Sequence, residues 1–413
     1  MNVSFTILSI GAIIFLAHWF SGIFDRKGIP DVLLLMLVGI LFGPILKLVK
    51  PDDFGIAGPM FTSLTLVIIL FEGGIGLNIS ELRKSLGGSL TLTAINFVVT
   101  TIAVSILSYM LFHLSVLESL TLGATLGGTS SAVVIPMVRQ ISMQEISRTY
   151  LVLESALSDV LCIVFALAFI EGIVGGEVQP GLIAGKIISS FVLASFVGFA
   201  SAVVWAVLLN RMRSIKNSIF TTPAFVFIVY GLAEILGYSG AISSLVFGIT
   251  LVNTEQLRGT FLNKYLPQNP VSLNETEKVF FSEIVFLLKT FFFVYIGISI
   301  RFDNLMILGL GLLVALSLYI IRIPVVKLTA HNGIQVADKV TMSVMIPKGL
   351  AAAVMAGIPL QKGIPGGQVI QDLTYSIILI TIILTSVLIP LLGRYKRLNA
   401  IYGWIFRIRF NKR

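Results

Sequence analysis

The chain has 413 residues, of which 56% are hydrophobic and only 12% are charged. A soluble globular protein carries roughly 25% charged residues, so this chain has too few charged side chains to cover a water-facing surface of its size. The formal net charge is +9, but the basic residues punctuate apolar runs instead of forming one hydrated patch, which argues against a nucleic-acid-binding protein. The composition therefore favours a protein embedded in a lipid bilayer.

Apolar runs of about 20 residues, long enough to cross a bilayer as helices, recur along the whole chain. Thirteen such runs are present, the ninth being the shortest, and their approximate ranges are 4–23, 30–49, 57–78, 88–114, 118–138, 147–172, 181–210, 217–236, 239–254, 280–300, 303–329, 338–360 and 370–393. They predict an all-α polytopic membrane protein of about 13 transmembrane helices, with residues 1–413 in a single membrane domain.

The distribution of lysine and arginine between alternate connections predicts the orientation of the chain. If the N-terminus lies outside, the inside connections hold most of the basic residues, including Arg26 and Arg213, whereas the outside ones hold few, such as Lys47 and Lys362. Positive residues favour the cytoplasmic side, so we expect a protein of the cell (inner) membrane with an outside N-terminus and a cytoplasmic C-terminus. Residues 394–413 mix basic and aromatic side chains, which is typical of a cytoplasmic tail that binds anionic lipid.

Two of the thirteen runs contain helix-breaking residues at matched positions. The fifth run contains Gly-Gly-Thr-Ser-Ser at 127–131, and the twelfth contains Pro-Lys-Gly at 347–349. Thirteen runs divide as six, one and six, so we predict six-helix inverted repeats at about 4–172 and 217–393, joined by a linking helix at 181–210. In such repeats the two broken helices cross near the midplane and mark the substrate site; simple kinks without a binding role are the alternative.

Six ionisable residues lie well inside the predicted spans: Glu72, Glu154, Asp159, Lys289, Arg322 and Lys348. A charged side chain at the centre of a membrane helix costs about 2.5–3.5 kcal/mol, so these residues must be paired, hydrated or functional. From the helical rise of about 1.5 Å per residue, Glu154 and Arg322 are expected at one depth. Asp159 and Lys348 are expected in a layer near the midplane, together with the hydroxyls of Thr129 and Ser130.

The helical phase separates the two acidic residues of the sixth span. At about 100° per residue, Asp159 is turned about 140° away from Glu154. We interpret Glu154 and Arg322 as a structural ion pair, since a guanidinium binds a carboxylate with two hydrogen bonds and stays protonated. We interpret Asp159 as the site that binds a cation and a proton in turn, although both acids being structural is the alternative. The hydroxyls that would complete the cation site belong to Ser155, Ser158, Thr129 and Ser130.

Three further charges have predicted supporting roles. Glu72 either lines the inner cation funnel or supports the ion pair, and Lys289 either pairs with a carboxylate or titrates during transport. Lys348 lies in the broken twelfth run, at the depth of the expected cation site. A carboxylate buried in a bilayer can hold a proton or a desolvated cation but not both, because burial penalises its charged form. Competition at Asp159, combined with alternating access, would therefore give exchange.

Six short motifs together resemble the monovalent cation/proton antiporter superfamily over nearly the whole chain. They are Phe-Glu-Gly-Gly at 71–74, Gly-Gly-Thr-Ser-Ser-Ala at 127–132, Glu-Ser-Ala-Leu-Ser-Asp at 154–159, Phe-Phe-Phe-Val-Tyr-Ile-Gly at 291–297, Arg-Ile-Pro at 322–324 and Pro-Lys-Gly-Leu at 347–350. They look closest to NhaP-like sodium/proton antiporters, with Kef-like features. The resemblance implies a homodimer, a moving core of spans four to six and eleven to thirteen, the family's ion-binding aspartate at Asp159, and its structural pair at Glu154 and Arg322.

The chain departs from that family at two positions near the aspartate. Ser158 stands where electroneutral members usually have Asn and electrogenic ones Asp, and Ser130 stands where NhaP-like members usually have Asp. The resemblance implies a secondary antiporter that exchanges a monovalent cation for protons, with Na⁺ favoured over K⁺. A cation channel is the less favoured alternative.

Motifs of intramembrane enzymes are absent from the sequence, which has no His-Glu-x-x-His and no paired-aspartate protease motif, so we do not expect an enzyme. The single cysteine, Cys162, excludes an internal disulfide framework and a cysteine-cluster metal site. We expect no cofactor, only transported Na⁺ or K⁺ bound at Asp159, and H⁺. The expected partners are membrane lipid and a second copy of the chain, and no nucleic acid.

Overall fold

The computed structural model describes residues 3–27, 29–55, 57–77, 79–175, 180–212, 218–259, 274–302, 305–330 and 333–394. Within these ranges the chain forms fifteen α-helices and no β-strand, which confirms the predicted all-α class. The predicted tail at 394–413 lies outside the described residues, except for Arg394 at the end of the last helix.

The helices follow the predicted apolar runs closely. The first eight are α1 Val3–Lys27, α2 Asp31–Ile40, α3 Ala57–Ile75, α4 Ile79–Phe112, α5 Val116–Thr125, α6 Ser131–Gln140, α7 Glu145–Val174 and α8 Pro180–Met212. The other seven are α9 Thr221–Ile235, α10 Gly240–Val252, α11 Glu275–Ser299, α12 Leu305–Thr329, α13 Val336–Val344, α14 Leu350–Gln361 and α15 Gly367–Arg394. Each predicted run contains one α-helix, except that the fifth contains α5 and α6 and the twelfth contains α13 and α14.

Seven of the described helices are long and apolar enough to cross a membrane, namely α1, α4, α7, α8, α11, α12 and α15. Shorter apolar helical segments lie in α2, α3, α9, α10 and α14. The chain is therefore a multi-pass membrane protein. The count of thirteen crossings stays a prediction, because the shorter helices do not reach the required length on their own.

The two helix breaks lie where the sequence predicts them, at residues with poor helix propensity. α5 ends before the run 127–130, which begins with two glycines, and α13 ends three residues before Pro347. Glycine in a helix interior costs about 1 kcal/mol relative to alanine, and proline has no N–H to donate to the preceding turn. Each interruption leaves unpaired backbone groups, which become available for contacts between helices.

Residue packing divides the described chain into two compact units. The first comprises the residues up to Gly55, the segment Leu86–Ile170 and the residues from Thr290 onward. It contains both broken helix pairs, and within it α15 packs against α2, α5, α12, α13 and α14. The first unit therefore holds together the helices that carry most of the predicted site.

The second unit comprises the described residues of Ile56–Ser85 and Glu171–Lys289. Within it α10 packs against α3, α8 and α9. Its core is aromatic, because the Phe71 ring centroid lies 5.4 Å from that of Phe247 and 5.0 Å from that of Phe281.

Among the described residues, each unit contains a close crossing between two helices at a pair of glycines. In the first unit, α2 meets α11 at Gly39 and Gly297, where an added Cβ on either residue would overlap a backbone carbonyl of the other helix. In the second unit, α3 meets α10 at Gly74 and Gly248, where each added Cβ would lie 2.5 Å from a facing carbonyl oxygen. In the predicted repeats, both crossings join the second helix of one repeat to the third helix of the other. The six-helix repeats themselves stay a prediction.

Candidate functional site

The two helix breaks contact each other in the first unit. The backbone N–H of Ser130 donates to the carbonyl oxygen of Pro347 at 2.7 Å. A Cβ added at Gly349 would overlap the Ser130 side chain, so this approach requires glycine at that position. The structure thus brings together the two interruptions that lie far apart in the sequence.

Asp159, on α7, lies at the amino end of the half-helix α6. Its Oδ2 accepts a hydrogen bond from the Ser131 hydroxyl at 2.6 Å and a longer one from the Ser131 backbone N–H at 3.4 Å. Ser130 is the residue that precedes α6, but its side chain does not cap the helix. The carboxylate of Asp159 therefore takes the place of a capping side chain, where the positive end of the helix dipole favours a negative charge.

Ser131 is a site residue that sequence reasoning missed, although it lies in one of the motifs that carry the resemblance. Its position as the first residue of a helix after a break was the available signal, because such residues present both a free N–H and a hydroxyl to a nearby carboxylate. The missing information was which neighbouring helix would supply that carboxylate.

The other predicted hydroxyls divide by what they contact. Ser158 accepts from the backbone N–H of Thr129 at 3.0 Å, and their two hydroxyls lie 3.4 Å apart. The Ser155 hydroxyl donates to the Val152 carbonyl of its own helix at 2.9 Å. Ser130 is 1% exposed, and its Oγ has no hydrogen-bond partner among the described residues. Ser130 therefore offers the hydroxyl oxygen that is most available to a ligand.

Lys348 links the second break to the first. Its ammonium donates to the Gly128 carbonyl oxygen at 2.7 Å, and its backbone N–H donates to the Thr381 hydroxyl at 3.0 Å. The ammonium also interacts electrostatically with Asp159 and Glu154. The structure therefore places Lys348 between the two helix breaks and near Asp159.

Glu154 and Arg322 form a bidentate ion pair between α7 and α12. Both residues are at most 1% exposed. The Nε–H of Arg322 donates to the carbonyl oxygen of Met342 in α13 at 3.2 Å. The contact expected between these two charges is present, and together with the bond to Met342 it connects α7, α12 and α13.

Glu72 and Lys289 belong to the second unit and interact electrostatically with each other. The Lys289 ammonium also lies 5.7 Å from the centroid of the Phe286 ring, a distance typical of a cation–π contact. Among the roles considered for these residues, pairing of Lys289 with a carboxylate is the one that this arrangement favours.

Multidentate metal clusters are not part of this arrangement, because the described residues contain no group of three or more histidine, cysteine, aspartate or glutamate side chains that could hold a metal ion. The site instead combines one carboxylate, Asp159, with hydroxyl and carbonyl oxygens. Oxygen ligands of this kind suit a hard cation such as Na⁺ or K⁺.

Comparison with known proteins matches most of the chain to one family. The sequence profile of the family described as "Sodium/hydrogen exchanger, transmembrane" matches residues 11–394. The chain is 25% identical over 377 residues to the K(+)/H(+) antiporter NhaP2 of a Shewanella species, covering 88% of this chain and 62% of that protein. It is 24% identical over 343 residues to the high-affinity Na(+)/H(+) antiporter NhaS3 of Synechocystis, covering 80% of this chain and 69% of that protein.

A solved structure has a similar fold. The sodium proton antiporter MjNhaP1 from Methanocaldococcus jannaschii superposes with a TM-score of 0.73 and 22% sequence identity, covering 94% of this chain and all of that one. At that identity the likeness concerns the fold. The chain spans about three fifths of the length of the NhaP2 relatives that it matches.

Proposed function

Because the chain belongs to the sodium/hydrogen exchanger family, whose profile matches residues 11–394, we propose that it exchanges a monovalent cation for protons across a cell membrane. It acts as a secondary transporter by alternating access, and not as an enzyme. Its cargo is the cation and the proton, and no resident cofactor takes part.

One observation carries this proposal: Asp159 lies at the amino end of α6, beside the point where two helix breaks meet. Backbone groups freed at the breaks, together with a carboxylate, can replace the water shell of a small cation. Asp159 then binds either the cation or a proton, and Ser131 holds its carboxylate in place. Exchange follows if the loaded carboxylate is exposed alternately to the two sides of the membrane.

Na⁺ is the cation that we favour, and K⁺ is the specific alternative. The motif resemblance to sodium/proton antiporters supports Na⁺, whereas the similarity to proteins named K(+)/H(+) antiporter NhaP2 supports K⁺. Ser130 and Ser158 stand where related proteins usually have acidic or amide side chains, so Asp159 is the single acidic ligand of the proposed site. Thr129, Ser130 and Ser158 contribute hydroxyl oxygens. A single acidic ligand is consistent with one proton exchanged for each cation, provided that Lys348 keeps its proton.

The other predicted residues have structural or supporting roles in this proposal. Glu154 and Arg322 hold the fold of the first unit and do not bind cargo, because each satisfies the other in a fully buried pair. Ser155, whose hydroxyl donates to the Val152 carbonyl of its own helix, remains one of the proposed hydroxyl ligands of the cation site. The protein works as a homodimer in lipid of the cell (inner) membrane, with its N-terminus outside and its C-terminus in the cytoplasm, as the distribution of basic residues indicates.

The test uses purified protein in proteoliposomes that enclose a pH-sensitive dye. Na⁺, K⁺ and Li⁺ are added separately, with and without a clamped membrane potential. The wild-type protein should move protons in response to at least one cation, and Asp159→Asn should not. Asp53→Asn, the same change at an exposed acid outside the α-helices, should transport normally. Retained exchange in Asp159→Asn would refute the assignment, and cation flux without coupled proton movement would favour the channel.

A further inference from the structure

Glu118, at the start of the first broken span, reaches the second one. It is the third residue of α5, and it forms a capping box with Ser115 through its Oε2. Its other oxygen, Oε1, accepts from the backbone N–H of Gly366 at 2.8 Å. Gly366 lies in the connection between α14 and α15, and Glu118 is 8% exposed. One carboxylate thus caps its own half-helix and binds the far end of the other broken span.

Asp338, at the start of the second broken span, makes the equivalent contact. It is the third residue of α13, and its Oδ2 accepts from the backbone N–H of Gln144 at 2.9 Å. Gln144 lies in the connection between α6 and α7, and its side-chain oxygen accepts in return from the backbone N–H of Gln335 at 2.9 Å. Asp338 is 5% exposed. Its bond to Gln144 is partly buried, whereas the bond between Gln335 and the Gln144 side chain is exposed.

These two contacts, Glu118 with Gly366 and Asp338 with Gln144, form a pair of end latches. In each, an acid in the first turn of one broken span binds the connection that follows the other broken span. Both carboxylates lie at helix amino ends, where the helix dipole stabilises their charge. Hydrogen bonds to a charged acceptor are about twice as strong as those between neutral groups. The latches therefore tie the two broken spans together at both ends.

We propose that Glu118 and Asp338 are positioning residues for the cation site at Asp159. The latches set how far one broken span lies along the other, and that register fixes the contacts at the breaks. Ser130 and Lys348 each reach across with a 2.7 Å hydrogen bond, whereas a shift by one helical residue is about 1.5 Å. Loss of a latch loosens this register, so the oxygens around Asp159 no longer stand at cation-binding distance. The inference rests on the proposed exchange function.

The test measures exchange in proteoliposomes for Glu118→Ala and Asp338→Ala, as half-saturating cation concentration and maximal rate separately. Because small displacements of binding groups have large effects, each variant should raise the half-saturating concentration by about tenfold while the maximal rate changes far less. Asp338→Asn keeps an oxygen that can accept from Gln144 and should restore most of the affinity. Glu145→Ala is the matched control, because Glu145 is an exposed acid whose partner Arg148 is on the same helix.

Two further variants separate the latches from ordinary helix stability. Ser115→Ala removes the cap of α5 but leaves Glu118 beside Gly366, so it should lower the thermal unfolding midpoint without changing the half-saturating concentration. Gln144→Ala removes the side-chain oxygen that accepts from the Gln335 backbone N–H beside the second latch. It should weaken cation binding even if the alanine variants of the two acids fail to fold. Half-saturating concentrations equal to that of the wild type in Gln144→Ala and the acid variants would overturn the inference. If, in the same assay, the wild type exchanges and Asp159→Asn does not, the proposed function holds even though the inference about the latches fails.

Discussion

The ammonium of Lys348 donates a hydrogen bond to the Gly128 carbonyl oxygen at 2.7 Å, so a charged side chain from the second helix break binds a backbone carbonyl of the first. Lys348 is 2% exposed. Gly128 lies just past the carboxyl end of α5, and the negative end of a helix dipole favours a nearby positive charge, which compensates part of the cost of burying the ammonium. The Lys348 side chain thus connects the two helix breaks.

Lys348→Met tests how much that contact contributes to stability and to exchange. Methionine keeps an unbranched apolar stem but leaves the buried Gly128 carbonyl without this donor, at a cost of about 1–3 kcal/mol. We expect a lower thermal unfolding midpoint for the detergent-solubilised protein and weaker exchange. Lys362→Met, at an exposed lysine just after α14, should leave both unchanged. Equal midpoints for the two variants would show that the cross-break contact contributes nothing.

Glu154→Gln should destabilise the first unit strongly. It leaves the Arg322 guanidinium buried without its countercharge, and breaking a buried ion pair in this way costs about 3–5 kcal/mol. The measurement is thermal unfolding in detergent, with Glu145→Gln as the control, because the Glu145–Arg148 pair is exposed and exposed pairs contribute little.

A double variant distinguishes the cost of leaving Arg322 buried without a countercharge from the loss of the ion pair itself. Glu154→Leu combined with Arg322→Met removes both charges and should recover part of the stability lost by Glu154→Gln, since apolar replacement of a buried pair is often neutral. A double variant that is less stable than Glu154→Gln would mean that the bond from Arg322 to Met342 matters more than the ion pair.

Gly349→Ala should disrupt the contact between the breaks. The added Cβ would overlap Ser130, and overpacking of a buried position typically costs about 1–3 kcal/mol. We expect lower stability and a loss of exchange. Gly309→Ala is the control, because a Cβ there meets no heavy atom within 4 Å and alanine favours the α12 helix. Similar behaviour of the two variants would contradict the close approach of the breaks.

Ser131→Ala removes the hydroxyl that donates to Asp159 at 2.6 Å. A hydrogen bond to a charged group contributes about 1.5–3 kcal/mol, so the half-saturating cation concentration should rise by about tenfold or more. Ser317→Ala serves as the control, because that hydroxyl donates to a carbonyl of its own helix. An unchanged cation affinity in Ser131→Ala would remove this serine from the site.

Much of the fold could be predicted from the sequence because lipid imposes a simple rule. Backbone groups that face lipid must be satisfied within the segment itself, so long apolar runs translate directly into helices. The breaks at 127–130 and 347–349 were predictable from glycine and proline chemistry. Helical phase alone separated Glu154, which is fully buried, from Asp159, which is partly exposed.

Contacts between distant segments were beyond the same reasoning. Glu118 and Gly366 are 248 residues apart in sequence, and nothing in either segment points to the other. Ser155 and Ser158 were indistinguishable from Ser131 as possible ligands, because their hydroxyls differ only in what the folded helices place beside them. Local patterns therefore predicted which residues matter, whereas the three-dimensional arrangement decided which of them meet.

The paired glycine crossings have a consequence for how the protein is made. Gly39 cannot meet Gly297, which follows it by 258 residues, until that later residue has been synthesised. At about 5–20 residues per second of synthesis, that partner emerges about 13–50 s later. Gly74 likewise precedes its partner Gly248. The first half of the chain must therefore enter the membrane before the helices that pack against Gly39 and Gly74 exist. A chain stopped before α10 would contain neither crossing.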